Sequence, residues 1–126
     1  RLPNLLQLNH FRKSYTKAQK LTVIYIDVDD LKQINDTNGH KAGNAALIEI
    51  ATFLQQFCCK TETAYRIGGD EFLLISSTDN IQERFLSAKT QLQHIGISFG
   101  IAIGSGNRLD DLLHTAEQNM YSMKKM

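Results

Sequence analysis

The stretch Arg66-Ile67-Gly68-Gly69-Asp70-Glu71-Phe72 decides how this chain is read. Two glycines and two carboxylates lie between two short runs of strand formers, Ala64-Tyr65-Arg66-Ile67 and Phe72-Leu73-Leu74-Ile75. The pattern predicts a β-hairpin with an acidic tip almost free of side chains. Glycine lets a bulky anion approach the backbone, and adjacent carboxylates suit hard divalent cations. A phosphate-bearing substrate with magnesium fits such a tip, with Gly69 among the residues that meet it.

Working upstream, Leu21 to Val28 is rich in β-branched and aromatic residues and predicts a central strand. The polar segment Asp29 to His40 follows, with a short helix expected at Leu31 to Asn35. Ala42 to Phe57 predicts a longer helix with the stripe Ala46, Leu47, Ile50, Leu54 and Phe57. Near the start, Leu5, Leu8, Phe11 and Tyr15 recur at helical spacing after Asn4, a good N-cap. Downstream come a helix from about Asn80 to Leu92 and a strand from Ile95 to Ile103. A last helix, Leu109 to Lys124, is expected to turn Leu112, Leu113, Ala116, Met120 and Met123 inward.

The order is helix, then strand-helix-strand-strand-helix-strand, then helix. Its middle six elements are the split β-α-β arrangement of ferredoxin-like folds. The expected class is α+β, a βαββαβ sheet with antiparallel pairs, helices on one face and flanking helices at either end. In that topology the first strand lies beside the hairpin, so Asp27 approaches Asp70. Alternation along the strand puts Asp27 and Asp29 on one face and Val28 on the other. Alone, Asp27-Val28-Asp29-Asp30 reads as a solvated strand end. Together with Asp70-Glu71, metal binding is the better reading.

With 126 residues, 42% hydrophobic and 21% charged, the chain is expected to be one soluble domain over residues 1–126. A net charge of +1 gives no electrostatic case for a nucleic acid partner or a membrane surface. No apolar run has the length of a transmembrane helix and no signal peptide is visible. The chain starts at Arg1 without a methionine and is read as a piece of a longer protein. The adjacent Cys58 and Cys59 give neither a disulfide framework nor a metal spacing, and suit a reducing compartment. The expected location is cytoplasmic, or the cytoplasmic part of a membrane-anchored protein.

Beyond these local readings, the chain resembles a GGDEF domain, the catalytic module of diguanylate cyclases. Gly68-Gly69-Asp70-Glu71-Phe72 is the signature. Asp27-Val28-Asp29-Asp30-Leu31-Lys32-Gln33-Ile34-Asn35-Asp36 matches the other main motif, and Gly39-His40-Lys41-Ala42-Gly43-Asn44 continues it except at Asn44. Leu2-Pro3-Asn4, Ser98-Phe99-Gly100 and the segment Glu117 to Lys124 resemble three further motifs, in order. The resemblance implies a nucleotide-cyclase-like fold that binds GTP with Mg²⁺ or Mn²⁺. Two such domains would face each other as a homodimer and join two GTP into cyclic di-GMP, under the control of flanking sensor or regulatory domains. Carried over residue by residue, Asp27, the Val28 carbonyl and Asp70 would hold the metals. Asp70 or Glu71 would help deprotonate the ribose 3′-hydroxyl. The N–H groups of Asp30 and Leu31 would meet phosphates, Lys32 and Lys124 would neutralise charge, and Asn35 would bond the guanine edge.

Three departures stand out. The family usually has aspartate at position 44, where it reads guanine. A carboxylate accepts both N1–H and N2–H of guanine, whereas the amide of Asn44 offers one acceptor and one donor. Guanine binding is then weakened or base choice has shifted, since an amide matches adenine. Second, Cys59-Lys60-Thr61-Glu62 stands where product-inhibited relatives carry Arg-x-x-Asp, so no product-inhibition site of that type is expected. Third, the segment between Phe72 and Ser98 is short for the family, and Asn119 and Met123 fill positions usually held by alanine, which implies altered helix packing. His40 is expected to make a structural hydrogen bond in its loop.

Overall fold

Strand β1, Leu21–Val28, is buried along all eight residues, with no polar face. A strand with that profile has both its neighbours and both its faces covered. The computed structural model, which describes residues 2–59 and 61–125, shows how. β1 lies between β3, Glu71–Ser76, and β4, Ile97–Gly104, while β2, Glu62–Arg66, pairs with β3. The order is β2-β3-β1-β4 and every neighbouring pair is antiparallel. The expected α+β class is borne out.

Among the described residues there are five α-helices, α1 Leu5–Thr16, α2 Leu31–Asn38, α3 His40–Phe57, α4 Ile81–Ala88 and α5 Leu109–Lys124, of which α2 packs on α3. A 3₁₀ turn, Lys89–Leu92, extends α4. One face of the sheet (Ile24, Ile26, Val28, Phe72, Leu74) packs on Ile50 and Leu54 of α3 and Ile81 and Phe85 of α4. The other face (Val23, Tyr25, Leu73, Ile75) packs on Leu8 of α1 and Leu109, Leu112, Ala116 and Met120 of α5. Helices on one face only was therefore too few. The terminal helices form a third layer, because alternate residues of β1 and β3 are apolar in both directions.

The predicted stripe of α1 is half used: Leu8 is buried and Tyr15 packs on the same core, but Leu5 is 46% and Phe11 48% exposed. This helix lies at the margin of the sheet. Its start is fixed instead by a capping box between Asn4 and Gln7 and by the Arg66 N–H, which donates to the Pro3 carbonyl. Gly39, at φ 87°, supplies the turn between α2 and α3.

β4 is an edge strand of the sheet. Its outward backbone is met by α5. The Phe99 N–H donates to Met123 Sδ at 3.3 Å and Asn119 Nδ2 donates to the Ile101 carbonyl at 2.9 Å. The two residues larger than alanine thus reach an open sheet edge, which proteins commonly blunt with side chains.

On the opposite edge, the carboxylate of Glu62 on β2 is buried and bonds the Arg84 guanidinium of α4 and the Cys59 N–H. Burial alone pushes this carboxyl up, but Arg84 and the Cys59 N–H outweigh it and hold it below its usual range. Its contribution to stability is present above the unfolded value, about pH 4.3, and is lost as pH falls through the folded one. Arg84→Met is expected to cost about 2 kcal/mol at neutral pH, because a buried charge loses its partner while that partner was itself part-solvated. Urea unfolding from pH 4 to 7 should also show the slope reversed in the variant, with stability now rising as pH falls. An unchanged slope would refute the ion pair's role.

Candidate active site

The carboxyl-terminal end of β1 and the β2–β3 tip converge. Asp27 lies across from Glu71 on β3 and from Ser98 on β4. The Val28 N–H donates to the Asp70 carbonyl at 3.2 Å, which ties the tip to β1 one residue past the last ladder pair. The tip itself is closed by the Ile67 N–H on the Glu71 carbonyl, 3.0 Å, and by Arg66 Nη2 on the Gly69 carbonyl, 2.7 Å. A Cβ on Gly69 would meet nothing within 4 Å. The open space beside Asp70 is what an approaching anion needs.

Asp27 is 5% exposed. Lys124 of α5 donates to its Oδ2 at 2.7 Å, while its Oδ1 is buried with no hydrogen-bond partner. Burial pushes the Asp27 carboxyl up; the Lys124 bond opposes this, and the charge of the neighbouring Asp70 adds to the rise. Lys124 is raised in turn, first by its bond to Asp27, against burial, and also by the charges of Asp27, Asp29 and Asp70. A buried, unpaired carboxylate oxygen next to a second carboxylate is a poor arrangement for a protein alone and a good one for a hard cation. Among the described residues no three acidic, histidine or cysteine side chains gather round one point. Magnesium does not require that, since it is commonly held by one or two carboxylates together with substrate phosphates. The donor set fits such an ion.

Asp29 is committed elsewhere. Its N–H donates to the Gly96 carbonyl, 2.8 Å, and its Oδ1 accepts from Ser98 Oγ, 2.6 Å. Asp30 then takes a left-handed conformation, φ 54°, at the N-cap of α2. The first N–H groups of a helix have no partner within it, so Leu31 and its neighbours start α2 as donors beside the carboxylates. Lys32 is exposed on the same helix.

At the α2–α3 junction the Asn35 side chain lies against Gly43, the neighbour of Asn44 in sequence. Asn35 Oδ1 is buried without a partner, and a Cβ at Gly43 would stand 1.9 Å from it. Gly43 is thus the space that Asn35 fills, one residue before the exposed Asn44. Gly43→Ala is expected to displace the Asn35 side chain and weaken nucleotide binding about tenfold, while stability changes by less than about 1 kcal/mol because only a side-chain end must move. Calorimetric titration with GTP and ATP, paired with a thermal melt, checks both halves.

Three residues that sequence reasoning did not assign are also here. Tyr25 donates to Glu71 Oε2 at 2.8 Å and lies 3.2 Å from Glu117 Oε2 of α5. Ser98 orients Asp29. The available signal for Tyr25 was its parity, two residues before Asp27 on one face of β1. The helical spacing of Glu117, Tyr121 and Lys124 was a similar signal on α5. His40, expected to bond within a loop, instead begins α3 and is exposed. Within the stretch expected to lack product inhibition, Lys60 lies outside the described residues, and Glu62 is engaged by Arg84. No helix among the described residues is long and apolar enough to cross a membrane.

Comparison with known proteins gives the family and the fold. The family profile described as "Diguanylate cyclase, GGDEF domain" matches residues 2–126. Two relatives from Escherichia coli K12 are similar: the probable diguanylate cyclase DgcJ, 35% identical over 90% of this chain and 25% of its own length, and the diguanylate cyclase DgcN, 34% identical over 81% and 29%. The chain therefore spans roughly a quarter of these relatives. The active GGEEF domain of a diguanylate cyclase from Vibrio cholerae is 26% identical, with a TM-score of 0.85 over 99% of this chain and 92% of that one. The GGDEF domain of YfiN from Pseudomonas aeruginosa, 24% identical, shares the fold with a TM-score of 0.86 over 98% and 91%.

Proposed function

Because the chain belongs to the GGDEF domain family of diguanylate cyclases, we propose that it condenses two nucleoside triphosphates, GTP in the first instance, into a cyclic dinucleotide with release of two pyrophosphates. The observation that carries this reading is that Asp27, whose Oδ1 is buried without a partner, ends β1 where the Asp70 carbonyl of the tip accepts from the Val28 N–H. Asp27, the Val28 carbonyl and Asp70 would hold Mg²⁺ or Mn²⁺, which would supply charge neutralisation and polarisation at the α-phosphate. The Asp30 and Leu31 N–H groups, at the start of α2, receive phosphate oxygens. Gly69 leaves the phosphates room. Lys32 and Lys124 balance the triphosphate charge. Glu71 or Asp70 accepts the proton of the ribose 3′-hydroxyl as that oxygen attacks the other nucleotide.

Each site brings one nucleotide, so two copies must face each other and turnover requires association. Flanking regions of a longer protein would raise the local concentration of the two domains. The test is incubation of the chain at high concentration with GTP, ATP and Mn²⁺, with products identified by mass. A cyclic dinucleotide supports the reading.

Asn44 bears on which base is used. Facing guanine, its amide donor meets N1–H, a mismatch worth about 1–3 kcal/mol. Asn44→Asp is expected to raise the ratio of GTP to ATP affinity about tenfold or more; an unmoved ratio rules out base discrimination at this position. The same residue favours a second reading, a GTP-binding sensor or dimerisation module without turnover. Nucleotide binding with no product in the mass assay would select it.

A further inference from the structure

We propose that Tyr25 is a positioning residue for the Glu71 carboxylate. The inference deepens the reading of a cyclase and rests on it.

Tyr25 is 7% exposed and sits on the face of β1 that also carries Asp27. Its hydroxyl has one proton and faces two carboxylates, Glu71 Oε2 at 2.8 Å and Glu117 Oε2 at 3.2 Å. The shorter contact takes the proton. The other oxygen of Glu71 is also constrained: a Cβ on Gly68 would lie 2.7 Å from Oε1, so that oxygen rests against the bare backbone of the tip. Glu71 is thus hydrogen-bonded at Oε2 and lies beside Gly68 at Oε1, across the ladder from Asp27 and next in sequence to Asp70.

A buried tyrosine hydroxyl needs some acceptor, and an ordinary core tyrosine would be satisfied by a carbonyl. Here it meets instead a carboxylate of the signature motif and one from α5. A tyrosine donor fixes the carboxylate without bringing a positive charge to it, as a lysine or arginine would. The phenol carries the proton of this contact, so it serves as the donor and the carboxylate as the acceptor. Glu117, Tyr121 and Lys124 share one face of α5, and Tyr121 feels the charges of Glu117 and, after burial, of Glu71 and Asp27, against that of Lys124. The last helix therefore touches both halves of the acidic cluster, Asp27 through Lys124 and Glu71 through Tyr25.

The test is a double-mutant cycle of Tyr25→Phe with Glu71→Gln, read in steady-state turnover, nucleotide affinity and thermal melting. The phenylalanine keeps the ring that packs in the core. Tyr25→Phe is expected to lower kcat at least about tenfold, a barrier increase of about 1.4 kcal/mol, with KM and nucleotide affinity within about twofold. In the Glu71→Gln background the same change should lower kcat no further. A purely structural role would shift melting and leave kcat of the folded fraction alone, or would act equally in both backgrounds; either result overturns the inference. Unchanged kcat in Tyr25→Phe, with an active wild type, overturns it as well while leaving the cyclase reading intact. A wild type that binds nucleotide but forms no product overturns both.

Discussion

Replacing Asp70 by asparagine is expected to abolish turnover, by about a thousandfold or more, in a domain that stays folded. The magnitude follows from the task. A carboxylate that helps hold the ion at a transferring phosphate supplies several kcal/mol of transition-state stabilisation, and about 4 kcal/mol corresponds to that factor. The fold is spared because Asp70 lies between β2 and β3, outside both strands and both core clusters. Stability should even be helped when no metal is present. The Asp27 carboxyl is pushed up by burial and further by the charge of Asp70, so the ionised pair opposes folding near neutral pH. A carboxyl raised in the folded state stabilises below its unfolded value and loses that contribution as pH rises through the folded one. Removing the Asp70 charge reduces the loss. Thermal melts with and without Mn²⁺ give a readout independent of turnover. The wild type should gain stability with the ion by mass action, and Asp70→Asn should lose most of that gain. A variant that keeps either its activity or the full metal-dependent gain would take Asp70 out of the ion's shell.

Gly100→Ala is expected to cost about 3 kcal/mol of stability. A Cβ there would stand 2.1 Å from the Ala116 carbonyl oxygen and 2.3 Å from the Met120 amide nitrogen. Both atoms are backbone of α5, so no rotamer change relieves the overlap and the helix must lift from the sheet. The consequence reaches chemistry, because α5 carries Lys124 to Asp27 and Glu117 to Tyr25. Denaturant unfolding measures the loss. Gly69→Ala is the control, with open space around it and no positive φ, and should alter stability by less than about 0.5 kcal/mol. If Gly100→Ala costs no more than that control, α5 does not press on β4 as closely as these distances state.

Resemblance and local pattern are most informative at the hairpin. The glycines, the paired acids and the runs of strand formers around them are all contiguous in sequence, so their reading needed no tertiary knowledge. The strand Leu21–Val28 and the buried stripe of α3 were legible for the same reason, since period and propensity are local properties. The α1 stripe was not. Leu5 and Phe11 have helical spacing, yet whether a helical face is covered depends on what lies beside it, and α1 sits at the sheet's margin. The roles of Asn119 and Met123 were hidden likewise, because they answer an open edge on β4 that exists only once the strands are ordered.

By itself the sequence determined the elements, their order and the acidic residues at two strand ends. Only the folded molecule decided which oxygens of those acids are spoken for. Asp29 is taken by Ser98, Asp27 is left with one bare oxygen beside Asp70, and Glu71 is held by a tyrosine that no motif contains. The physical reason is that cross-strand register and the seating of α5 bring together residues 46 to 97 positions apart, and no local pattern encodes which of their atoms will meet.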